Sequence, residues 1–493
     1  MTVVPNRKLT WWSLLTVAMA IPIWYAVFLG GVMSRVIDGG IFVSVVGGIR
    51  NGLDLYSQVW DNKDPLFFVV MTGADLISPS AVFFMDWLWV PIGALGAWLL
   101  ARPLMSGDRA LLIGMVVAPF LVTGPFYASG LTSLPGTATA LVGLGLLLNR
   151  RAVAGGIVLG LLAFLKLVLW PIALVCLVWL LLIPSLRRAG LRALTSMGVT
   201  LAVGTAGLAV VGWLAPYLDA LLRNRAYASD VIVYFGFEDS PIGHLRSLVS
   251  EWTSASFVAI AAIAMTAVVG ALLMALLPSW RMPERTALAG WLVIAVLGTA
   301  GILAFTYVWG HHAQAIYLPA VVAIVLVGVM VPRRWFFPGF LATAVVAAWL
   351  MSGVGSPAAA LDRVQLARAS YDAALTSIDD VPTDAKLLGS VPLKEFTYAR
   401  LGSNDDEGYL ASVRDGADLA CAQFHLYDFS PPEDFARMLE CIQDVDVVLM
   451  TDNFVVFGNG GRAASVQPIL QYVDYAFDCL RIGDRQLCTR KPG

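Results

Sequence analysis

A carboxylate near the start of the chain could take part in acid–base chemistry at the edge of a membrane. Asp38 lies a few residues beyond a hydrophobic run that begins at Trp11 and continues to Val32. At the boundary between lipid and water, this side chain can meet both a lipid headgroup and a polar acceptor. A carboxylate in such a place can take the proton from a hydroxyl group. The alternative is that Asp38 caps the helix that follows it.

Further polar side chains are candidates for binding a substrate, and most of them are predicted near the same membrane face. These candidates are Tyr56, Asp61, Lys63, Arg102, Lys166, His244, His311 and His312. Lys166 is flanked by apolar residues, so its charge needs a partner or a water-filled cavity, unless it snorkels to the interface. Asp61 and Lys63 could instead pair with each other. The two adjacent histidines have no further ligands at zinc-site spacing, so no metal site is predicted, although a divalent cation stays open.

The composition predicts that helices in a membrane position these residues. Hydrophobic residues make up 58% of the 493, and charged residues only 13%, whereas water-soluble proteins need about a quarter charged residues. The net charge of −2, without a long Lys/Arg run, argues against a nucleic-acid partner. We therefore predict a polytopic α-helical membrane protein with about 11 to 13 spans. After the first run, the predicted spans cover 65–78, 81–101, 110–127, 131–149, 152–184, 191–214, 254–277, 286–308, 313–331 and 336–353.

Short basic segments set the predicted orientation. Clusters of Arg and Lys precede the first span and three later ones, and such loops are typically cytoplasmic. The loops 34–64 and 215–253 and the polar tail should then lie outside. Arg150 and Arg151 conflict with this scheme, because counting spans forward from the N-terminus places them outside. The stretch 152–184 is also too long for one ordinary span and short for two.

A change in charge density near Pro357 predicts two domains. Residues 1–355 form the transmembrane domain, and residues 356–493 a small extracytoplasmic α/β domain. The predicted strands of the tail are 386–391, 446–450 and 475–480, and its predicted helices are 361–377, 431–443 and 464–472.

Four of the five cysteines lie in this tail, and an even set outside the cell predicts disulfides. Cys479 and Cys488 flank a strand, a turn and another strand, so a hairpin would bring their sulfurs together. Cys421 would then pair with Cys441. Zinc binding is the alternative, but no CxxC spacing supports it.

The first loop resembles that of the GT-C class of membrane glycosyltransferases, which use polyprenyl-phosphate sugars and include aminoarabinose and protein O-mannosyl transferases. The matching residues are Asp38, Gly52, Tyr56, Asp61, Lys63, Pro65 and Leu66. Gly39 stands where many members have Glu, and Asp64 where many have Pro, so a carboxylate pair at the start of the motif is absent. The Gly-rich stretch from Gly156 to Lys166 and the segment from His311 to Pro319 are weaker matches.

The resemblance implies a GT-C-like fold and inverting transfer of a sugar from a polyprenyl-phosphate donor. It also implies that Asp38, which matches the acid of the family's first loop, is the candidate catalytic base. The acceptor would be an extracytoplasmic polysaccharide, glycolipid or protein of the cell envelope. The high Ala, Gly and Val content is compatible with a bacterium. We expect a multi-pass protein of the plasma membrane that is in contact with membrane lipids. The alternative is a transporter or channel with an accessory domain, although no internal repeat supports it. A membrane scaffold ranks third.

Overall fold

The structure is a computed structural model of the chain. It describes residues 42, 45–46, 49–50, 52, 54–57, 61, 63–77, 85–123, 132–223, 240–250, 254–276, 282–305, 310–331, 397–401, 418–419, 432–445, 447–451, 463–482 and 485–491. Several predictions lie outside these residues, namely Asp38, Cys421, the spans 11–32 and 336–353, and the tail segments 361–377 and 386–391.

The apolar part of the chain folds into helices that follow most of the predicted spans. They are α1 (Pro65–Asp75), α2 (Asp86–Ala101), α3 (Gly107–Thr123), α4 (Ser133–Leu148), α5 (Ala152–Leu165), α6 (Trp170–Leu181), α7 (Arg187–Val210), α8 (Pro241–Ser250), α9 (Ser254–Leu276), α10 (Pro283–Phe305) and α11 (Tyr317–Met330). Short 3-10 turns cover Leu167–Leu169 and Gly310–Ile316. In the described residues, three helical stretches are long and apolar enough to cross a membrane, Arg187–Val210, Pro283–Phe305 and Ala313–Met330. The other apolar helices are shorter.

The first loop folds against α1 before the chain enters the bundle. Helical positions between 42 and 50 lie alongside this helix. The Phe42 ring packs edge-on against Phe67 with centroids 5.0 Å apart, and Arg50 forms a salt bridge with Asp75 at 3.2 Å. The loop is therefore anchored at both ends of α1.

Close helix contacts at glycines fix the relative directions of the helices. α2 and α4 run in the same direction, because Gly96 packs on Leu141 and Gly145 packs on Leu99. α5 and α7 also run in the same direction, and Gly156 of α5 packs against Ala193 of α7. A Cβ at Gly156 would lie 2.2 Å from the Ala193 carbonyl oxygen, so only glycine fits there.

The stretch 152–184 is a helical hairpin. α5 ends at Leu165, Lys166 is extended with φ −158° and ψ 80°, and a 3-10 turn leads into α6. Arg150 donates to the Ser185 carbonyl at 3.3 Å, so the start of α5 and the segment that follows α6 lie side by side. Arg150 also forms a salt bridge with Glu284 at the start of α10.

The bundle thus has two ends, which we call the Lys166 end and the Arg150 end. Asp64 and Thr132, which precede α1 and α4, contact the hairpin tip at the Lys166 end. Since α2 runs parallel to α4, α1 and α2 both begin at this end. Our interpretation of 65–78 and 81–101 as successive spans in opposite directions was therefore wrong. Without that crossing, the forward count of predicted spans agrees with the basic-loop prediction for Arg150.

The described tail residues form an α/β unit around a five-stranded sheet. Its strands are β1 (Thr397–Leu401), β2 (Asp418–Leu419), β3 (Val447–Thr451), β4 (Phe477–Ile482) and β5 (Arg485–Arg490), in the order β2-β1-β3-β5-β4. β1 is parallel to β2 and β3, whereas β5 is antiparallel to β3 and β4. Helices α12 (Pro432–Ile442) and α13 (Ala463–Ala476) contribute Met438, Ile469 and Val473 to the core shared with Val448.

The predicted hairpin disulfide is confirmed. Cys479 and Cys488 face each other across β4 and β5 and are bonded, which excludes these two sulfurs as zinc ligands. Cys441 is also disulfide-bonded, while its predicted partner Cys421 lies outside the described residues. Cys176 is a free thiol buried in the helical bundle.

Candidate functional site

The end of the first loop is held in a fixed shape directly before α1. The Tyr56 hydroxyl donates to the Lys63 carbonyl at 2.7 Å, and the Lys63 amide donates to Asp61 Oδ1 at 2.8 Å. Tyr56 has a φ of +71°, a conformation that is uncommon for a residue with a side chain and that clusters at functional sites. The Lys63 ammonium lies 5.5 Å from the centre of the Phe42 ring, so its position is set by the folded loop.

Asp64 joins three distant parts of the chain. Its side chain is buried at the start of α1, with a relative exposure of 8%. Oδ2 accepts a hydrogen bond from the Leu167 amide at 3.0 Å, and Oδ1 accepts one from the Tyr217 hydroxyl at 2.6 Å. Tyr217 lies on a helical segment that covers 214–223, and its ring is 5.2 Å from that of Tyr56.

Lys166 projects from the tip of the hairpin towards the start of α4. Its ammonium donates to the buried Thr132 hydroxyl at 2.6 Å. The aliphatic part of Lys166 packs on Gly136, where a Cβ would lie only 2.6 Å from the Lys166 Cβ. An ammonium has three N–H donors. The hydrogen bonds within the described parts of the chain use one of them, the bond to Thr132, so two donors are left for a ligand.

The electrostatic surroundings keep the tyrosines protonated. Burial and the nearby Asp64 raise the pKa of the Tyr217 hydroxyl, and the same two causes, in the same order, raise that of Tyr56. Burial raises the pKa of Asp64, while the Tyr217 hydrogen bond, the positive charge of Lys166, the Leu167 amide and the positive charge of Lys63 oppose that rise. The site therefore offers ammonium donors beside a carboxyl group that is already hydrogen-bonded on both oxygens.

The structure brings four of the predicted site residues together, Tyr56, Asp61, Lys63 and Lys166. His244 of α8 lies at the same end, where its buried ring hydrogen-bonds through Nδ1 to the Ala304 carbonyl at 3.0 Å.

Two further sets of predicted residues are placed differently. Arg102 follows α2 at the Arg150 end and stacks 5.2 Å from the Trp98 ring, so the parallel course of α2 and α4 separates it from the cluster. His311 and His312 belong to the turn Gly310–Ile316, which contacts α4, but their side chains lie outside the described part of the structure.

Asp64, Thr132 and Tyr217 were not predicted as members of this site. Asp64 was noted only as a departure from the family pattern. Its signal was a charged residue directly before Pro65 at the start of an apolar helix. Thr132 and Tyr217 carry no comparable signal.

Chemically, the cluster is suited to an anion with several oxygens. Two lysine ammonium groups supply positive charge, and ammonium donors form strong hydrogen bonds to phosphate oxygens. Within the described residues, no group of three or more His, Cys, Asp and Glu could hold a metal ion. The two ammonium groups support direct binding of an anion by side chains.

Comparison with known proteins gives structural similarities at low sequence identity. No protein-family model matches the sequence, and no curated protein matches it. The archaeal oligosaccharyltransferase AglB from Archaeoglobus fulgidus, in complex with an inhibitory peptide and a dolichol-phosphate, is similar over 90% of this chain and 70% of that chain, with 12% identity and a TM-score of 0.46. The oligosaccharyltransferase of the same organism tethered with an acceptor peptide is similar over 90% and 69%, with 10% identity and a TM-score of 0.47.

Proposed function

We propose that the chain is a membrane glycosyltransferase that transfers a sugar from a polyprenyl-phosphate donor to an extracytoplasmic acceptor with inversion. One observation carries this proposal. The two parts of the sequence that resemble the GT-C class, the loop ending at Leu66 and the helix ending at Lys166, meet in one site. The contact between Asp64 and the Leu167 amide joins them across 103 residues of sequence.

The two lysines of this site provide the charge that such a reaction needs. When the bond between the sugar and the phosphate breaks, negative charge grows on the phosphate oxygen, and positioned cations lower the barrier by stabilising it. Lys166 lies close enough to both Asp64 and Lys63 for their charges to interact, so a bound phosphate would be a second negative partner for the two ammonium groups. The donor's phosphate would therefore bind at the Lys166 end.

The orientation of the bundle supports the same assignment. Basic residues collect at the Arg150 end, and basic ends of membrane helices are typically cytoplasmic. This set includes Arg102, Arg109, Arg150, Arg151, Arg187, Arg188 and Arg285. The Lys166 end then faces outwards, and the disulfide-bonded domain 356–493 is extracytoplasmic beside the transmembrane domain 1–355.

The proposed reaction is a single displacement. The acceptor oxygen forms a bond to the anomeric carbon while the bond from that carbon to the phosphate oxygen breaks, and the acceptor proton passes to a carboxylate. Asp38 remains the proposed base. Asp64 is less suited, because both of its oxygens already accept hydrogen bonds.

Turnover by the purified protein tests this proposal. The full chain in proteoliposomes would be incubated with a panel of polyprenyl-phosphate sugars, and donor loss measured by mass spectrometry. Lys166→Ala should lower turnover about 100-fold, because an electrostatic contact to the leaving group is lost. Arg102→Ala is the matched control at the other end and should turn over like the wild type. The proposal would be refuted if the wild type consumed none of the donors. It would also be refuted if Lys166→Ala and Arg102→Ala lowered turnover equally.

A transporter is the second candidate, and the broken hairpin favours it. Transporters place interrupted helices around their substrate sites, and Lys166 interrupts α5 and α6 in the same manner. This function predicts uptake of a phosphorylated solute into proteoliposomes without breakage of a covalent bond. Uptake without donor loss would favour transport over transfer.

A further inference from the structure

We infer that Asp64 is a positioning residue, which orients Lys166 by binding the peptide group that follows it. This inference rests on the proposed function for its role in turnover, but not for its structural part. An aspartate before a helix usually accepts hydrogen bonds from the first amides of that helix. The Asp64 side chain makes no such bond to α1 and instead binds Leu167 and Tyr217.

The bond to Leu167 acts on the backbone of Lys166. Leu167 begins a 3-10 turn, so its amide has no partner within that turn and needs one elsewhere. Asp64 Oδ2 supplies that partner at 3.0 Å. Because the amide belongs to the peptide group that joins Lys166 to Leu167, the carboxyl group fixes the rotation of that group and thus the direction in which Lys166 leaves the chain.

Two further contacts make the orientation specific. Gly136 leaves no room on one side of the Lys166 stem, and Thr132 accepts a hydrogen bond from the ammonium. Tyr217 holds the other oxygen of Asp64 at 2.6 Å, so the carboxyl group itself cannot rotate freely. Lys166 is therefore held at its peptide group, along its stem and at its tip.

A pair of substitutions separates the hydrogen bonds of Asp64 from its charge. In Asp64→Asn, the amide oxygen can accept from Leu167 while the amide nitrogen donates to the Tyr217 hydroxyl, so both contacts are kept without the charge. Asp64→Ala removes the charge and both contacts. Any difference between the two variants therefore reports the hydrogen bonds and the packing of the side chain, and not its charge.

The first readout is the chemical reactivity of Lys166, which requires no donor lipid. The full chain in proteoliposomes would be treated with acetic anhydride, and the acetylation rate of Lys166 measured by mass spectrometry. We expect Lys166 to react at least about threefold faster in Asp64→Ala than in Asp64→Asn, because it loses its fixed orientation. Equal rates would overturn the inference, whether or not the protein turns over any donor.

The second readout is turnover in a double-mutant cycle. Asp64→Ala should have a kcat/KM about 30-fold below that of Asp64→Asn, since small misplacements of a positioned group cost up to about 100-fold. In the Lys166→Ala background this difference should vanish, because Asp64 acts through Lys166. A difference that persists there would show a general structural role and overturn the inference. If the wild type turns over no donor, the proposed function fails while the acetylation result still stands.

Two controls keep the test decisive. If Asp64→Ala does not fold, Asp64→Leu replaces it, because a leucine fills the buried space without a polar group to desolvate. Asp219 lies two residues from Tyr217 and forms an exposed ion pair with Arg223. Asp219→Ala should leave both the acetylation rate and turnover unchanged, and a change as large as that in Asp64→Ala would overturn the inference.

Discussion

Gly136→Ala tests how tightly Lys166 is held. The new Cβ would lie 2.6 Å from the Lys166 Cβ, 2.8 Å from its Cγ and 3.0 Å from Leu169 Cδ1, whereas ordinary contact begins at 3.4 Å. The stem of Lys166 must therefore move by about 0.8 Å. A shift of that size along the bond to Thr132 would lengthen it from 2.6 Å to about 3.4 Å, outside hydrogen-bond range.

We expect a loss of turnover that is larger than the loss of stability. Overpacking costs about 1–3 kcal/mol, and the alanine returns about 1 kcal/mol through its helix propensity, so the free energy of unfolding falls by about 0–2 kcal/mol, less than the roughly 2.7 kcal/mol that a 100-fold loss of turnover represents. Donor turnover should fall by up to about 100-fold, since Lys166 no longer meets the phosphate in the same geometry. Melting temperature and donor loss would be measured on the same proteoliposome samples.

Gly198→Ala is the matched control. A Cβ at Gly198 of α7 meets nothing within 4 Å, so this variant should be as active as the wild type and slightly more stable. If Gly136→Ala were folded and fully active while Lys166→Ala was inactive, the tight packing around Lys166 would have no role in turnover.

Three further predictions concern stability. Cys479→Ser should leave Cys488 unpaired and lower the stability of the tail domain by about 2–3 kcal/mol, seen as faster proteolysis, and an unchanged rate would contradict it. Arg150→Glu should destabilise the bundle by roughly 1 kcal/mol, and the double variant Arg150→Glu/Glu284→Arg should restore the melting temperature. A double variant that melts no higher than Arg150→Glu argues against a stabilising salt bridge. Burial raises the folded-state pKa of Asp64 above that of the unfolded chain. The contribution of the protonated carboxyl group to the free energy of unfolding is therefore complete at low pH and is lost as the pH rises through the folded-state pKa. The melting temperature of Asp64→Asn relative to wild type should therefore rise as the pH is raised above the ordinary aspartate pKa of about 3.9, and a constant difference would refute this.

The helices could be predicted from the sequence, but not their directions. Apolar runs such as 131–149 and 286–308 became α4 and α10, because the length of an apolar run is a local property. The parallel course of α2 and α4 depends on which glycines meet which side chains, as Gly96 meets Leu141. No local pattern carries that information, and so the spans between 65 and 101 were given the wrong direction.

The site shows the same division between local and distant information. Tyr56 and Lys63 could be predicted together because they lie in one loop, and the Cys479–Cys488 hairpin because its strands are adjacent. The partners of Asp64 are 103 and 153 residues away. Asp64 therefore looked like a departure from a motif until the fold placed Leu167 and Tyr217 beside it.

The length of the hairpin sets the depth at which any ligand of Lys166 would be met. α5 has 14 residues, about 21 Å at the rise of an α-helix, which is less than the hydrocarbon thickness of about 30 Å. Phe164 near the tip packs against Gly204 of α7, and α7 continues to Val210, about 9 Å further. The bilayer around this site would thus be thinner by roughly a third of its thickness. The headgroup of a lipid carrier could then reach Lys166 while its isoprenoid tail stays in the hydrocarbon core.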